Sequence, residues 1–373
     1  MKPSYRADHV GSFLRPPELL AMRQRFQAGQ LPLEELRAFE DQVILDLLRM
    51  QKEVGISIFS DGEVRRDMWA TGFHEAVDGL AFVQTASAPA MVWHNPDGSE
   101  VREGSSSTAQ IAATRLRLKH RITQHESQFL ARHAPGPFKV TLPSPAVLSG
   151  MIYRDGTPGQ FYGSEIEMMT DITQIMRSEL EALSREGVPY IQMDEGFTRM
   201  VADGWRERVR GAGGDPDALL AAAIQAENAC YSAVARDKTT IGMHLCRGNF
   251  RSRWALRGGY DAIAERVFSD LNVDRYLLEY DTERAGGFEP LRFVPKGKIV
   301  VLGLISTKSP ALESEDAVLR RIEDASKHIP IEQLALSPQC GFASSKEGNL
   351  ITADDQRKKL ELTVKVANRV WKD

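Results

Sequence analysis

The sequence predicts an α/β fold, specifically a (β/α)8 TIM barrel, and three observations lead to that prediction. Short apolar segments rich in β-branched residues alternate with longer segments of helical periodicity along the chain. The 373 residues exceed the roughly 250 that one such barrel needs. A doubly wound open sheet is the rival fold. The stretch HVGSFLRP after the first strand, however, lacks the glycine-rich turn of dinucleotide-binding sheets.

Strands and helices are predicted in alternation from one end of the chain to the other. The predicted strands are residues 7–12, 56–61, 138–142, 190–194, 239–244, 275–280, 298–304 and 334–337. Helical periodicity covers residues 17–55, as two helices broken near Gly29, and then 164–186, 215–236, 260–269, 313–328 and 353–370. We therefore expect residues 1–373 to form a single barrel domain.

One polar segment interrupts this alternation after the second strand. Asn95-Pro96-Asp97-Gly98 lies between MVWH and SEVRE, and a turn sequence between two alternating strands is typical of a β-hairpin. We expect an insertion over about residues 79–115 that contains this hairpin and runs over the mouth of the barrel.

Composition excludes several classes of function. Lysine and arginine number 47 against 51 acidic residues, a net charge of −4, so no general basic field indicates a nucleic-acid partner. No apolar run approaches the roughly 18 residues of a membrane span, and the N-terminus has no secretory apolar segment. We expect a cytoplasmic protein whose cysteines are reduced thiols.

The pair His244 and Cys246 is the sharpest candidate for a metal site. Residues i and i+2 of an extended strand end face the same side, so the imidazole and the thiol project together. Cys340 ends the last predicted strand, and Glu279 ends the sixth. Nitrogen and sulfur ligands suit Zn²⁺. The alternative is a small buried cysteine without a metal, which is how Cys230 is interpreted, because it lies within a helical pattern.

Acidic residues also follow two predicted strands. Asp61 and Glu63 share a face after the second strand, and Asp194 ends the fourth. Such carboxylates can hold an amino group by charge-assisted hydrogen bonds. The alternative is a structural role in capping or in ion pairs with Arg65 and Arg66.

Seven motifs occur in the order VGSFLRP, DGEVRRDMW, KVTLPSP, IQMDEG, MHLCRGN, LLEYDTERAG and SPQCGF. In this order they resemble the C-terminal catalytic domain of cobalamin-independent methionine synthase and its stand-alone relatives. The resemblance implies a zinc-dependent enzyme that alkylates a thiol. It also implies His244, Cys246, Glu279 and Cys340 as the metal ligands, with Asp281 and Glu283 as neighbouring candidates for the acidic ligand.

The same resemblance implies a pocket for the thiol substrate. The backbone and hydroxyl of Val10-Gly11-Ser12 would hold homocysteine, and Glu63 and Asp194 would receive its ammonium group. Zinc would bind the thiol as a thiolate, which a methyl group would then convert into methionine.

The chain departs from the family pattern on the side of the methyl donor. Residues 143–145 read Pro-Ser-Pro without the tryptophan that stacks on folate, and Lys308-Ser309-Pro310 replaces a His-Ser-Pro that serves acid catalysis. We expect Lys308 to protonate or orient the leaving group. The donor remains open among a folate, a methylated corrinoid (which would imply a corrinoid protein as partner) and a simple methylated sulfur compound.

Two alternative functions share the zinc site. One is alkyl transfer to another thiol, as in epoxide:coenzyme M transferase, although Glu63 and Asp194 would repel the sulfonate of coenzyme M. The other is a closed structural zinc site in a barrel without transferase activity. Such a site would have no need of an amino-acid pocket.

Overall fold

A computed structural model describes residues 5–84, 91–103, 108–194 and 196–372 of the chain. Within them the strands are β1 (Val77–Gln84), β2 (Met91–His94), β3 (Glu100–Glu103), β4 (Thr108–Leu118), β5 (Lys139–Pro143), β6 (Tyr190–Asp194), β7 (Thr240–Leu245), β8 (Arg275–Glu279), β9 (Ile299–Ile305) and β10 (Leu334–Pro338). The α-helices are α1 (Pro17–Gln27), α2 (Leu33–Val54), α3 (Thr71–Ala76), α4 (Gln124–His133), α5 (Pro145–Ile152), α6 (Glu165–Arg185), α7 (Trp205–Gly211), α8 (Pro216–Tyr231), α9 (Ala264–Asp270), α10 (Glu315–Ser326) and α11 (Ala353–Val370).

Six strands form a parallel sheet in the order β10-β9-β8-β7-β6-β5. Strands β5 to β8 and β10 are buried along their whole length, as expected of parallel strands covered on both faces. The register places Asp194 beside His244 on neighbouring strands, and Glu279 beside Gly303. The carboxyl ends of these strands therefore meet at one edge, where a barrel of this type carries its site.

The first two predicted strands adjoin the two edges of the six-stranded sheet without being regular strands. Segment 7–12 joins β10 through a single parallel bridge, Ala7 with Leu336, and segment 56–61 joins the start of β5 through Phe59 and Phe138. The sequence-based expectation of two regular strands is wrong in this respect.

Side-chain hydrogen bonds link these two segments. The ring Nε2 of His9 lies 2.9 Å from the carbonyl oxygen of Ile58, and the Ser60 hydroxyl donates to the Gly11 carbonyl at 2.8 Å. Just beyond the segments, the Phe13 backbone N–H donates to the Gly62 carbonyl at 3.0 Å. Side chains therefore supply contacts that a regular ladder would otherwise make.

The helices agree with the predicted pattern in position, with ends that differ by a few residues. Gly29 separates α1 from α2 and adopts a φ of 69°, a left-handed conformation that favours glycine. Ser164 caps α6 by accepting a hydrogen bond from the Glu167 backbone N–H, and Thr352 with Asp355 forms a capping box at α11. Helices α3, α4, α5 and α7 were not predicted individually.

The predicted hairpin is present between segment 56–61 and β5. Strands β2 and β3 pair antiparallel around the predicted turn, and β1 and β4 pair antiparallel outside them. Residues 85–90 and 104–107 of the insertion lie outside the described part of the chain. His94 exchanges two backbone hydrogen bonds, of 2.8 and 3.0 Å, with Trp254 in the segment after β7, so the hairpin reaches the mouth of the barrel.

A buried ion pair lies inside the barrel beneath the mouth. Lys139 is fully buried, and its Nζ donates to the Asp8 carboxylate at 2.9 Å and to Gln192 Oε1 at 2.8 Å. Among the described helices none is long and apolar enough to cross a membrane.

Replacing Lys139 with methionine is expected to destabilise the protein by about 3–5 kcal/mol, because Asp8 would remain buried without its closest cation. The midpoint of urea unfolding measures this effect. The double variant Lys139→Met with Asp8→Asn removes both charges and is expected to recover part of the loss. Unfolding of the single variant at the wild-type urea concentration would contradict this interpretation.

Candidate metal centre

Four side chains meet at the carboxyl ends of three strands. His244 lies in β7 and Cys246 directly follows it, Glu279 is the last residue of β8, and Cys340 follows β10. In the described residues the ligand atoms of these four side chains lie within 4.8 Å of one another, and all four residues are buried. Of the three cysteines, Cys230 lies apart in α8, where its thiol is 3.7 Å from the Thr173 carbonyl oxygen.

The cluster fits a tetrahedral metal ion with nitrogen, sulfur and oxygen ligands. The two sulfurs of Cys246 and Cys340 are 3.6 Å apart, close to the roughly 3.8 Å between two thiolates on one tetrahedral zinc. His244 Nδ1 lies 3.1 Å from the Leu277 carbonyl oxygen, and its buried Nε2 has no hydrogen-bond partner within the described chain. A backbone bond at Nδ1 is the arrangement that orients Nε2 toward a metal.

Electrostatics in the cluster favour thiolate formation. A hydrogen bond from Cys246 and the nearby imidazole hold the pKa of the Cys340 thiol well below its ordinary value, although burial opposes this. Burial lowers the pKa of His244, but the adjacent Cys340 sulfur and the charges of Asp194 and Glu279 raise it overall to about 9. A metal cation would take over the charge compensation that the imidazolium provides, because thiolates are the form that binds metals.

Glu279 is the acidic residue of this cluster, and Asp281 has other partners. The Glu279 carboxylate accepts hydrogen bonds from the Arg247 backbone N–H at 2.9 Å and from Arg284 at 2.6 Å. Burial raises its pKa, but the charges of Arg284 and Lys308 lower it overall, so the group is a carboxylate. Asp281 pairs with Arg284 at 2.8 Å and accepts a hydrogen bond from Ser306 at 3.0 Å.

A small pocket adjoins the cluster on the side of His244 and Cys340. It is lined by Val10, Ser12, Glu63, Trp69, Asp194, His244, Cys340, Gly341 and Ser344. The structure therefore brings four of the five predicted substrate residues to the wall of one pocket beside the predicted metal ligands.

Gly11, the fifth, lies behind this wall. Its φ is 138°, and a Cβ there would lie 2.7 Å from Thr141 Cγ2 and 3.1 Å from the Glu63 carboxylate. Only glycine allows the segment to approach Glu63 this closely.

Glu63 is held in place through one carboxylate oxygen, while the other has no hydrogen-bond partner in the described residues. Its backbone adopts a left-handed φ of 56°, which is uncommon outside glycine, and its N–H donates to Asp61 at 3.0 Å. The Thr141 hydroxyl donates to Oε1 at 2.8 Å, whereas the buried Oε2 has no hydrogen-bond partner in the described residues. Burial raises the pKa of Glu63 against the opposing charge of Arg66.

Asp194 also lines the pocket, and Gln192 orients it from within the barrel. Gln192 Nε2 donates to Asp194 Oδ1 at 2.8 Å, while Gln192 Oε1 accepts from the buried Lys139. The carboxylate is thus linked to the ion pair inside the barrel.

Lys308 lies beside the cluster but outside the small pocket. Its Nζ donates to the Gly248 carbonyl at 3.1 Å and to Asn249 Oδ1 at 2.8 Å, and the residue is buried. These two acceptors belong to the segment after β7, next to Cys246.

Three pocket residues were not identified from the sequence. Trp69 stands in the DGEVRRDMW motif, but a tryptophan in a helix-like run carries no polar signal. Gly341 and Ser344 follow the last strand in the SPQCGF region. A Cβ on Gly341 would lie 1.9 Å from the Ser12 hydroxyl, so a residue of the neighbouring segment 7–12 dictates this glycine.

Comparison with known proteins places the chain in a family. The model of the cobalamin-independent synthase catalytic domain matches residues 6–131 and 156–369. The chain belongs to the cobalamin-independent methionine synthase family. Within this family, the uncharacterized Bacillus subtilis protein YxjH is 39% identical over 381 residues, covering 100% of this chain and 96% of YxjH.

Two further members of the family extend the comparison. The Pyrococcus abyssi protein named methionine synthase is 23% identical over 336 residues, covering 89% of this chain and 85% of that protein. A Listeria monocytogenes protein assigned as a vitamin B12-independent methionine synthase has a crystal structure that superposes with a TM-score of 0.74 at 28% identity. The alignment covers 100% of this chain and 99% of the Listeria chain. The match confirms the predicted barrel fold.

Exchanging each acid near the cluster for its amide tests which one contributes a metal ligand. Glu279→Gln is expected to lower zinc affinity at least about tenfold more than Asp281→Asn, because only Glu279 faces the other ligand atoms. Competition with a chromogenic chelator measures both affinities. Equal losses in the two variants would contradict the assignment.

Proposed function

We propose that this protein is a zinc-dependent S-methyltransferase that transfers a methyl group to the thiol of homocysteine and forms methionine. The observation that carries the proposal is that the small pocket and the metal-ligand cluster share His244 and Cys340. A pocket with two carboxylates, suited to an amino acid, opens directly onto a cluster of histidine, cysteine and glutamate side chains suited to zinc.

The residues of the cluster fit the ion. His244, Cys246, Glu279 and Cys340 would hold it, and the buried, unpartnered Nε2 of His244 is the observation that favours a cation there. Bound zinc would act as a Lewis acid that lets a thiol of pKa about 8.5 react as a thiolate at neutral pH.

The walls of the small pocket match the amino-acid end of homocysteine. The open Oε2 of Glu63 and the carboxylate of Asp194 would accept hydrogen bonds from the substrate ammonium. Ser12 and the backbone of residues 10–11 would orient the remainder of the molecule. Hydrogen bonds from Thr141 and Gln192 hold these two acids in place.

The two alternative functions account for fewer of these features. Coenzyme M would bring a sulfonate against Glu63 and Asp194, where like charges repel. A purely structural zinc would not account for Oε2 of Glu63, which is buried and has no hydrogen-bond partner in the described residues. The relative named methionine synthase in Pyrococcus abyssi also supports the first proposal.

The direct test incubates zinc-loaded protein with homocysteine and separate methyl donors, and detects methionine by mass spectrometry. Cys340→Ser is expected to lose most of its zinc and at least about 99% of its activity, because a hydroxyl is a poor zinc ligand. Cys230→Ser is the matched control and is expected to retain both. Full activity and zinc content in Cys340→Ser would contradict the proposal.

Asp194→Asn tests the pocket separately from the metal. A charge-assisted hydrogen bond contributes about 1.5–3 kcal/mol, so KM for homocysteine is expected to rise roughly 10–100-fold, with a smaller change in kcat. Steady-state kinetics provide this comparison, and the zinc content should equal that of wild type. Unchanged KM would remove Asp194 from the substrate pocket.

A further inference from the structure

A larger cavity, here called the hairpin cavity, adjoins the small pocket. The two share Trp69 and Ser344, and the hairpin cavity measures about 460 Å³, within the range of small-molecule sites. Its apolar wall comes from the hairpin, the segment after β7 and helix α5. The apolar and aromatic members are Met68, Trp69, Met91, Trp93, Val147, Met151, Phe250, Ala255 and Leu256.

The described residues that line the hairpin cavity offer no unpaired cation to an anionic ligand. Among the described residues that line it, Arg199 is the one with a charged side chain, and it forms an ion pair with Glu165. Arg199 packs on Gly150, where a Cβ would lie 2.8 Å from its guanidinium carbon, so the pair is fitted into the wall. A ligand with several carboxylates would bury those charges uncompensated.

None of the described residues that line this wall has a side chain suited to protonate a leaving group. Lys308 lies behind the wall, where Gly248 and Asn249 accept its hydrogen bonds. These contacts favour a positioning role for Lys308 on the segment that carries Cys246. A methyl donor whose leaving group needs a proton, such as a tertiary amine nitrogen, would find no acid among the described lining residues.

Charge and aromatic surface instead favour a cation. Trp93 and Phe250 lie with their ring centroids 5.4 Å apart, and Trp69 stands at the junction with the small pocket. Onium groups are recognised by aromatic faces. The carboxylates of Glu63 and Asp194 lie beyond that junction, and their negative charge would attract a cation.

We propose that the hairpin cavity binds a methylsulfonium compound, and that this compound is the methyl donor. This proposal rests on the proposed transfer to homocysteine. The thiol of homocysteine first releases its proton to solvent, and its sulfur supplies the electron pair of the new S–CH₃ bond. The S–CH₃ bond of the sulfonium breaks with its pair remaining on the departing sulfur, which leaves as a neutral sulfide. Nothing is oxidised or reduced, and no acid is needed.

Binding is tested without homocysteine by calorimetric titration with trimethylsulfonium and with tetramethylammonium, a cation that is not expected to react. Tert-butanol serves as the neutral probe of similar size. Both cations are expected to bind and tert-butanol not to bind detectably.

Trp93→Leu is expected to weaken cation binding about tenfold, while Trp93→Phe retains most of it. Trp371→Phe, far from the cavity, is the matched control. Equal binding of all three probes, or an unaffected Trp93→Leu variant, would overturn the assignment.

Transfer is tested by supplying zinc-loaded protein and homocysteine with trimethylsulfonium or with 5-methyltetrahydrofolate in parallel. The expected result is methionine and dimethyl sulfide in equal amounts from the sulfonium, lowered at least about fivefold by Trp93→Leu at subsaturating donor. Methionine from the folate alone would overturn the sulfonium inference and leave the proposed function intact. Tryptophan-dependent sulfonium binding without methionine from either donor would support the cation site but count against the proposed function.

Discussion

The constraint on which the site depends is the burial of two sulfurs, one imidazole and one carboxylate within a single cluster. Negative groups this close together are unfavourable in a buried environment unless cations compensate them. The Glu279 carboxylate has Arg284 and the Arg247 backbone N–H as partners. The contacts of the Cys246 and Cys340 sulfurs include the Gly248 backbone N–H, the Ser344 hydroxyl and the His244 imidazole. A bound divalent cation would satisfy all of these groups at once.

The barrel supports this cluster through a continuous set of polar contacts. Asp194 lies beside His244 in the register of β6 and β7, and Gln192 ties it to Lys139 and Asp8 below. On the neighbouring strand β5, Thr141 donates to Glu63. The strands thus fix both carboxylates relative to the metal ligands. Carboxylates held in this way keep a fixed geometry toward a substrate, and this is how a site gains by positioning.

Most of the strands and the metal-ligand cluster could be predicted from the sequence, and the features that could not be predicted have physical causes. Six strands were found because buried parallel strands are apolar throughout, and the residues after them indicated His244, Cys246 and Cys340 as neighbours. Segments 7–12 and 56–61 pair through side chains such as His9 and Ser60, which no periodicity records. The choice of Glu279 over Asp281 depends on contacts that the sequence does not record, since Arg284 binds both acids and Ser306 holds Asp281. Trp69 and the hairpin cavity depend on long-range packing between the hairpin and the segment after β7.

The most direct test of the account is X-ray absorption spectroscopy at the zinc edge of the purified protein, with and without homocysteine. The account predicts a resting shell of two sulfur, one nitrogen and one oxygen ligand. Addition of homocysteine is predicted to increase the sulfur count to three as the oxygen contribution falls. Protein that contains no zinc after purification and reconstitution, or a ligand shell that homocysteine leaves unchanged, would contradict it.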